Sequence, residues 1–105
     1  MQQISQYIDE HKQDFIKTLQ RWVSIPSLRG EAAQGAPFGA EVKRALDAAL
    51  ADGQAMGFTT RNLDGYAGDI RMGKLDVNPL AILAHLDVVP VGDGWTVDPF
   101  TGIVD

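Results

Sequence analysis

The chain has 105 residues, 45% of them hydrophobic, enough for one small domain with a packed core and too apolar for a disordered segment. Nine Lys and Arg stand against fourteen Asp and Glu, a net charge of −5, which argues against nucleic acid and anionic membrane surfaces as partners. With no cysteine, disulfides and thiolate metal sites are excluded, so any metal must be held by histidine, carboxylate or water.

The opening residues, Met1 to Gln6, are polar and lack the apolar core of a signal peptide. No apolar run approaches the roughly 20 residues of a membrane span, and a cytoplasmic protein is expected. A first amphipathic helix is expected over 4–23, with Ile4, Tyr7, Ile8, Phe15, Ile16, Leu19, Trp22 and Val23 on its apolar face. Pro26 ends it, because the residue before a proline avoids helical angles. Residues 28–37, rich in Gly and Ala, read as an exposed loop with a mobile tip. A second helix is expected over 39–56, burying a narrow stripe of Val42, Leu46, Ala49, Leu50 and Gly53, with Gly57 as its C-terminal cap.

Two short strands are expected over 58–64 and 67–72, separated by Gly65-Tyr66 and followed by turns over 73–79. The apolar run over 80–85 reads as a strand in the middle of a sheet, covered on both faces. Helices and strands in this order predict an α/β layered domain, helices packed on a mixed sheet. The final residues, 101–105, read as a turn and the opening of a further strand, which is expected of a truncated piece of a longer domain.

The chemistry concentrates where the run over 80–85 ends in His85-Leu86-Asp87. A strand alternates its side chains with period two, so His85 and Asp87 point the same way. A neutral imidazole can ligate a divalent cation, and a carboxylate beside it can hold the second ring nitrogen. Standing alone, the same pair also describes a histidine bonded to backbone beside a turn aspartate. In the loop that follows, Pro90, Pro99 and Asp93-Gly94 are stiffening and turn signals. Trp95 and Phe100 are expected to fold back as apolar anchors for the strand end rather than touch substrate, and Asp93 and Asp98 to form turns rather than ligate.

Elsewhere the signals are weaker. His11 has no second histidine one turn away and reads as a surface or boundary residue. Asp64 and Tyr66 read as turn and packing residues, and Arg29 and Arg61 as solvated charges. Gly35 and Gly39 do not follow a strand, so a phosphate-binding loop is not expected.

The block His85-Leu86-Asp87-Val88-Val89-Pro90-Val91-Gly92, with Trp95 and Pro99-Phe100 behind it, resembles the zinc exopeptidase family that contains carnosinases, aminoacylases, succinyl-diaminopimelate desuccinylases and PepV-type dipeptidases. Ile25-Pro26-Ser27 after an amphipathic helix is a further family feature, and Asn62-Leu63-Asp64-Gly65-Tyr66-Ala67-Gly68 is most similar to the PepV branch. The resemblance implies that residues 1–105 are the N-terminal portion of a single metallopeptidase catalytic domain, with its remainder and a lid domain absent. It implies that His85 is a metal ligand and that Asp87 is the catalytic carboxylate supporting a ligand histidine. The remaining ligands, an aspartate that bridges two ions and a general-base glutamate, would lie beyond position 105.

The function so implied is hydrolysis of dipeptides by two Zn²⁺ ions, for which Mn²⁺ or Co²⁺ can substitute, with the isolated 105 residues inactive. Two alternatives are an aminoacylase or desuccinylase-type amidohydrolase, and a non-catalytic scaffold or association module. An uncovered sheet edge would invite self-association.

Overall fold

The computed structural model describes residues 1–74 and 79–105. It holds four elements: α1 (Gln2–Val23), α2 (Ala40–Ala55), β1 (Thr59–Leu63) and β2 (Ala67–Arg71). All four lie within a residue or two of the expected ranges. The expected turns over 73–79 fall mostly on residues 75–78, outside the described residues. The chain divides into two compact units, one of Met1–Ile25 with Gly92–Asp105 and one of Pro26–Val91.

In the first unit, α1 closes with Ser24, whose hydroxyl donates to the Arg21 carbonyl at 2.6 Å, while Arg21 places a positive charge in the last turn, against the negative end of the helix dipole. The apolar stripe is present, yet no residue of α1 is buried, and Leu19 is 60% exposed. His11 behaves as a boundary residue: its ring stacks on Tyr7 at 4.0 Å between centroids, and its Nδ1 is 2.9 Å from the Tyr7 carbonyl. Gln20 Nε2 donates to the Gly102 carbonyl at 2.8 Å. Asp98 forms the expected turn, its carboxylate accepting from the Phe100 N–H at 2.8 Å and its carbonyl from the Thr101 hydroxyl at 2.7 Å. Trp95 is 56% exposed.

In the second unit, α2 packs on the β1–β2 hairpin. Ala45, Ala49 and Gly53 form the buried seam, with Leu46 and Leu50 half-buried beside it. The small residues let helix and hairpin come close. A Cβ on Gly53 would lie 2.9 Å from Ile70 Cδ1, and one on Gly68 would lie 2.9 Å from both Leu46 Cδ1 and Leu50 Cδ2. The helix ends in a Schellman motif: Phe58 N–H donates to the Gly53 carbonyl and Gly57 N–H to the Gln54 carbonyl, with Gly57 at φ 87°. The loop before α2 is exposed over 29–35, as expected, and it is tied by backbone bonds: Ala33 and Ala36 exchange both hydrogen bonds and Gly30 N–H donates to the Phe38 carbonyl at 2.9 Å.

The hairpin pairs Leu63 with Ala67 and Thr59 with Arg71. Asp64 and Gly65 both take left-handed φ, 54° and 78°, the twist that a tight hairpin turn requires. Asn62 Oδ1 accepts from the Gly65 N–H at 2.7 Å. Arg61 and Asp69 face each other across the strands and form an ion pair of 2.6 Å, so Arg61 is more than a solvated charge. Hydrogen bonds from Arg71 first, and from Arg61, hold the Asp69 carboxyl below its ordinary pKa of 3.8. A depressed carboxyl contributes stability above its unfolded pKa and loses it as the pH falls through the folded value. Asp69→Asn is therefore expected to flatten the part of the acid-unfolding profile that lies below pH 3.8, measured by thermal melts from neutral to strongly acid solution.

The expected strand over 80–85 is the clearest departure. These residues have no regular secondary structure and join no ladder, and Leu83 is 95% exposed. A central strand needs neighbours on both edges. Here β1 and β2 satisfy each other, and among the described residues the sheet has two antiparallel strands instead of the mixed sheet expected. The parallel component is a single bridge, Leu28 to Val88, just past the apolar run.

Candidate functional site

His85 and Asp87 sit where the segment over 80–87 meets that bridge. The segment is held from one side by Ser27. The Ser27 hydroxyl donates to the Leu86 carbonyl at 2.7 Å, and the Ser27 carbonyl accepts from the Val88 N–H at 3.1 Å. Pro26 follows the end of α1, where its missing N–H and fixed φ stop the helix from continuing, and the Leu28 N–H donates to the Pro26 carbonyl at 2.7 Å, closing a tight turn centred on Ser27. At 2% exposed, Ser27 is the buried polar residue among those described.

The structure brings the two expected site residues together, with a twist in the bonding. His85 Nδ1 is 2.9 Å from the Asp87 backbone carbonyl and 3.5 Å from Asp87 Oδ1. The carbonyl, which can only accept, takes the Nδ1 proton, and the carboxylate lies behind as a second negative group. This selects the tautomer with the proton on Nδ1. The lone pair is then on Nε2, to which no hydrogen bond among the described residues extends. A neutral imidazole braced in this way is the donor that a divalent cation takes. Its chemistry fits one metal ligand. Among the described residues no three His, Asp or Glu side chains cluster closely enough to complete a cage.

His85 and Asp87 line an open cleft of about 420 Å³ within the second unit. Arg29 and the aromatic pair Phe38 and Tyr66 line it too. The two rings meet edge to face at 5.5 Å, so Tyr66 takes the packing and turn role expected of it. Sequence reasoning left out the cleft position of Arg29 and the grip of Ser27 on the segment. Ile25-Pro26-Ser27 was visible as a motif, but no periodic pattern reveals a hydrogen bond between residues 59 positions apart.

No family model matches the chain. Among curated proteins it is similar to "Putative dipeptidase YtjP" of Bacillus subtilis, 47% identical over 92 residues, which are 86% of this chain and 20% of that protein. It is 39% identical over 99 residues to "Putative dipeptidase SH1171" of Staphylococcus haemolyticus, covering 92% of this chain and 21% of the relative. A "Putative dipeptidase" of Staphylococcus epidermidis is 40% identical over 97 residues, 90% of this chain and 20% of the relative. The chain thus spans about a fifth of the length of the curated relatives it matches, and those relatives carry the name dipeptidase.

Proposed function

We propose that this chain belongs to a zinc-dependent dipeptidase and supplies one ligand of its metal centre. The observation that carries the reading is the His85 imidazole, braced through Nδ1 and left open at Nε2 on the wall of a cleft. The similarity to proteins named dipeptidases supplies the reaction class.

His85 would hold the cation through Nε2, and Asp87 would keep the imidazole in the right tautomer, first through its carbonyl and then through its carboxylate. When bound, the metal centre supplies an acidified water and polarises the scissile carbonyl. Asp87 would act on the ring from behind, fixing its orientation through the contact at Nδ1. The cleft wall of Phe38 and Tyr66 offers an apolar face to a substrate side chain, and Arg29 a positive charge to a substrate carboxylate.

The test is made on the intact gene product. Hydrolysis of a β-Ala-His-type dipeptide is expected to vanish on treatment with a chelator and to return on addition of Zn²⁺. An N-acyl amino acid is expected to be turned over far more slowly. Hydrolysis indifferent to chelation would overturn the metal reading, and preference for the N-acyl substrate would move the protein to the amidohydrolases.

A further inference from the structure

We propose that Ser27 is a positioning residue for His85: it sets the backbone of the 86–88 segment so that the Asp87 carbonyl captures the His85 Nδ1 proton and leaves Nε2 free. The inference rests on the metal-ligand reading for its functional consequence, but its geometric content stands apart from that reading.

Three observations carry it. Ser27 is 2% exposed, in a unit whose other buried side chains, among the described residues, are small and apolar, so a hydroxyl belongs there only if it is bonded. Its bond goes to the Leu86 carbonyl at 2.7 Å, the peptide unit between the two site residues. Its own carbonyl takes the Val88 N–H at 3.1 Å, the peptide unit on the far side of Asp87. The single residue Ser27 therefore clamps the chain on both sides of the Asp87 carbonyl, whose direction decides which nitrogen of His85 carries the proton.

His85 is itself 84% exposed at the side chain, so no packing orients its ring. The chain direction at Asp87 is what remains to do so. Free imidazole in water prefers the proton on the nitrogen remote from the chain, which here would occupy the metal-binding atom. Holding the opposite tautomer is thus work that the clamp must perform, and supporting groups of this sort typically change metal affinity by about 10–100-fold.

The experiment uses the intact gene product labelled with ¹⁵N-histidine, free of metal and in mildly alkaline solution, with His85→Ala assigning the resonance. In the wild type the His85 signals are expected to report the proton on Nδ1. In Ser27→Ala they are expected to shift towards the proton on Nε2. Calorimetric titration of Zn²⁺ into the same variant is expected to show affinity lowered about tenfold or more. Ser27→Cys, close in shape but a weaker donor, is the second variant should Ser27→Ala not fold, with a shift in the same direction.

A role in stability alone would lower the melting temperature and leave the tautomer as in the wild type, and that result overturns the proposal. If the tautomer shifts with Ser27→Ala while His85→Ala leaves zinc affinity unchanged, the positioning role stands and the metal reading falls.

Discussion

Replacing His85 by Ala in the intact protein is expected to lower kcat/KM for dipeptide hydrolysis by at least about a thousandfold while leaving the fold in place. The two halves of that expectation have separate causes. The imidazole is 84% exposed and meets its neighbour through one hydrogen bond to the Asp87 carbonyl. Removing it opens no cavity and buries no orphaned group, so metal-free stability should change by no more than ~0.5 kcal/mol. On the proposed metal-ligand reading the catalytic loss follows from deleting a ligand with no substitute nearby, since among the described residues no cluster of three donors stands ready to take the ion.

Ligand linkage separates the cases further. A cation that binds only the folded protein raises its melting temperature. The wild type should respond to added Zn²⁺, and His85→Ala should respond much less. Undiminished turnover in a folded His85→Ala protein would remove the ligand assignment.

Gly65→Ala is expected to have the largest effect on stability, about 3 kcal/mol, from left-handed strain and overpacking acting together. Gly65 has φ 78°, a conformation that costs an L-residue roughly 1–2 kcal/mol. It is also buried against the loop that precedes α2: an added Cβ would lie 2.5 Å from the Gly35 carbonyl oxygen and 2.9 Å from Pro37 Cδ. Both obstacles are backbone or ring atoms, so relief requires the hairpin turn or the loop to move.

Gly57→Ala is the control. Its φ is 87°, but nothing lies within 4 Å of the added atom, so it should lose only the conformational part. Urea midpoints of the two variants measure the difference, and equal losses would show that the Gly65 turn does not press on that loop. Because Gly65 also lines the cleft beside His85, its displacement should raise KM for the dipeptide as well, whereas Gly57→Ala should leave KM unchanged.

Local pattern carried the reading of these elements a long way. The helix over Gln2–Val23 was legible because its apolar residues recur at helical spacing and a proline follows. The hairpin was legible because Asp-Gly supplies two residues that tolerate left-handed φ between two short β-prone runs. The nearness of His85 and Asp87 was legible from their separation of two, while the bond itself runs to the Asp87 carbonyl.

The run over 80–85 shows where pattern stops. Its composition says that it should be buried, but burial is a property of a neighbour, and among the described residues no strand stands alongside it. The same holds for the apolar face of α1, where periodicity defines the stripe and says nothing of what covers it. The carboxylate of Asp87 was expected to be the acceptor for His85, yet the carbonyl of the same residue is nearer. Side-chain identity is written in a sequence; the direction of a peptide plane is not.

What the sequence by itself determined is therefore local: two helices with their ends, a tight hairpin, an acidic chain without cysteine, and a histidine and an aspartate set two residues apart. These follow from backbone preferences and side-chain chemistry, which act over a few residues. Tertiary structure alone decided that Ser27 grips the segment 59 positions away, that Gly53 and Gly68 admit Ile70, Leu46 and Leu50, and that Arg29, Phe38 and Tyr66 share a cleft with His85. Those arrangements depend on which surfaces meet once the chain has closed on itself, and contacts between distant residues leave no periodic mark in the order of the amino acids.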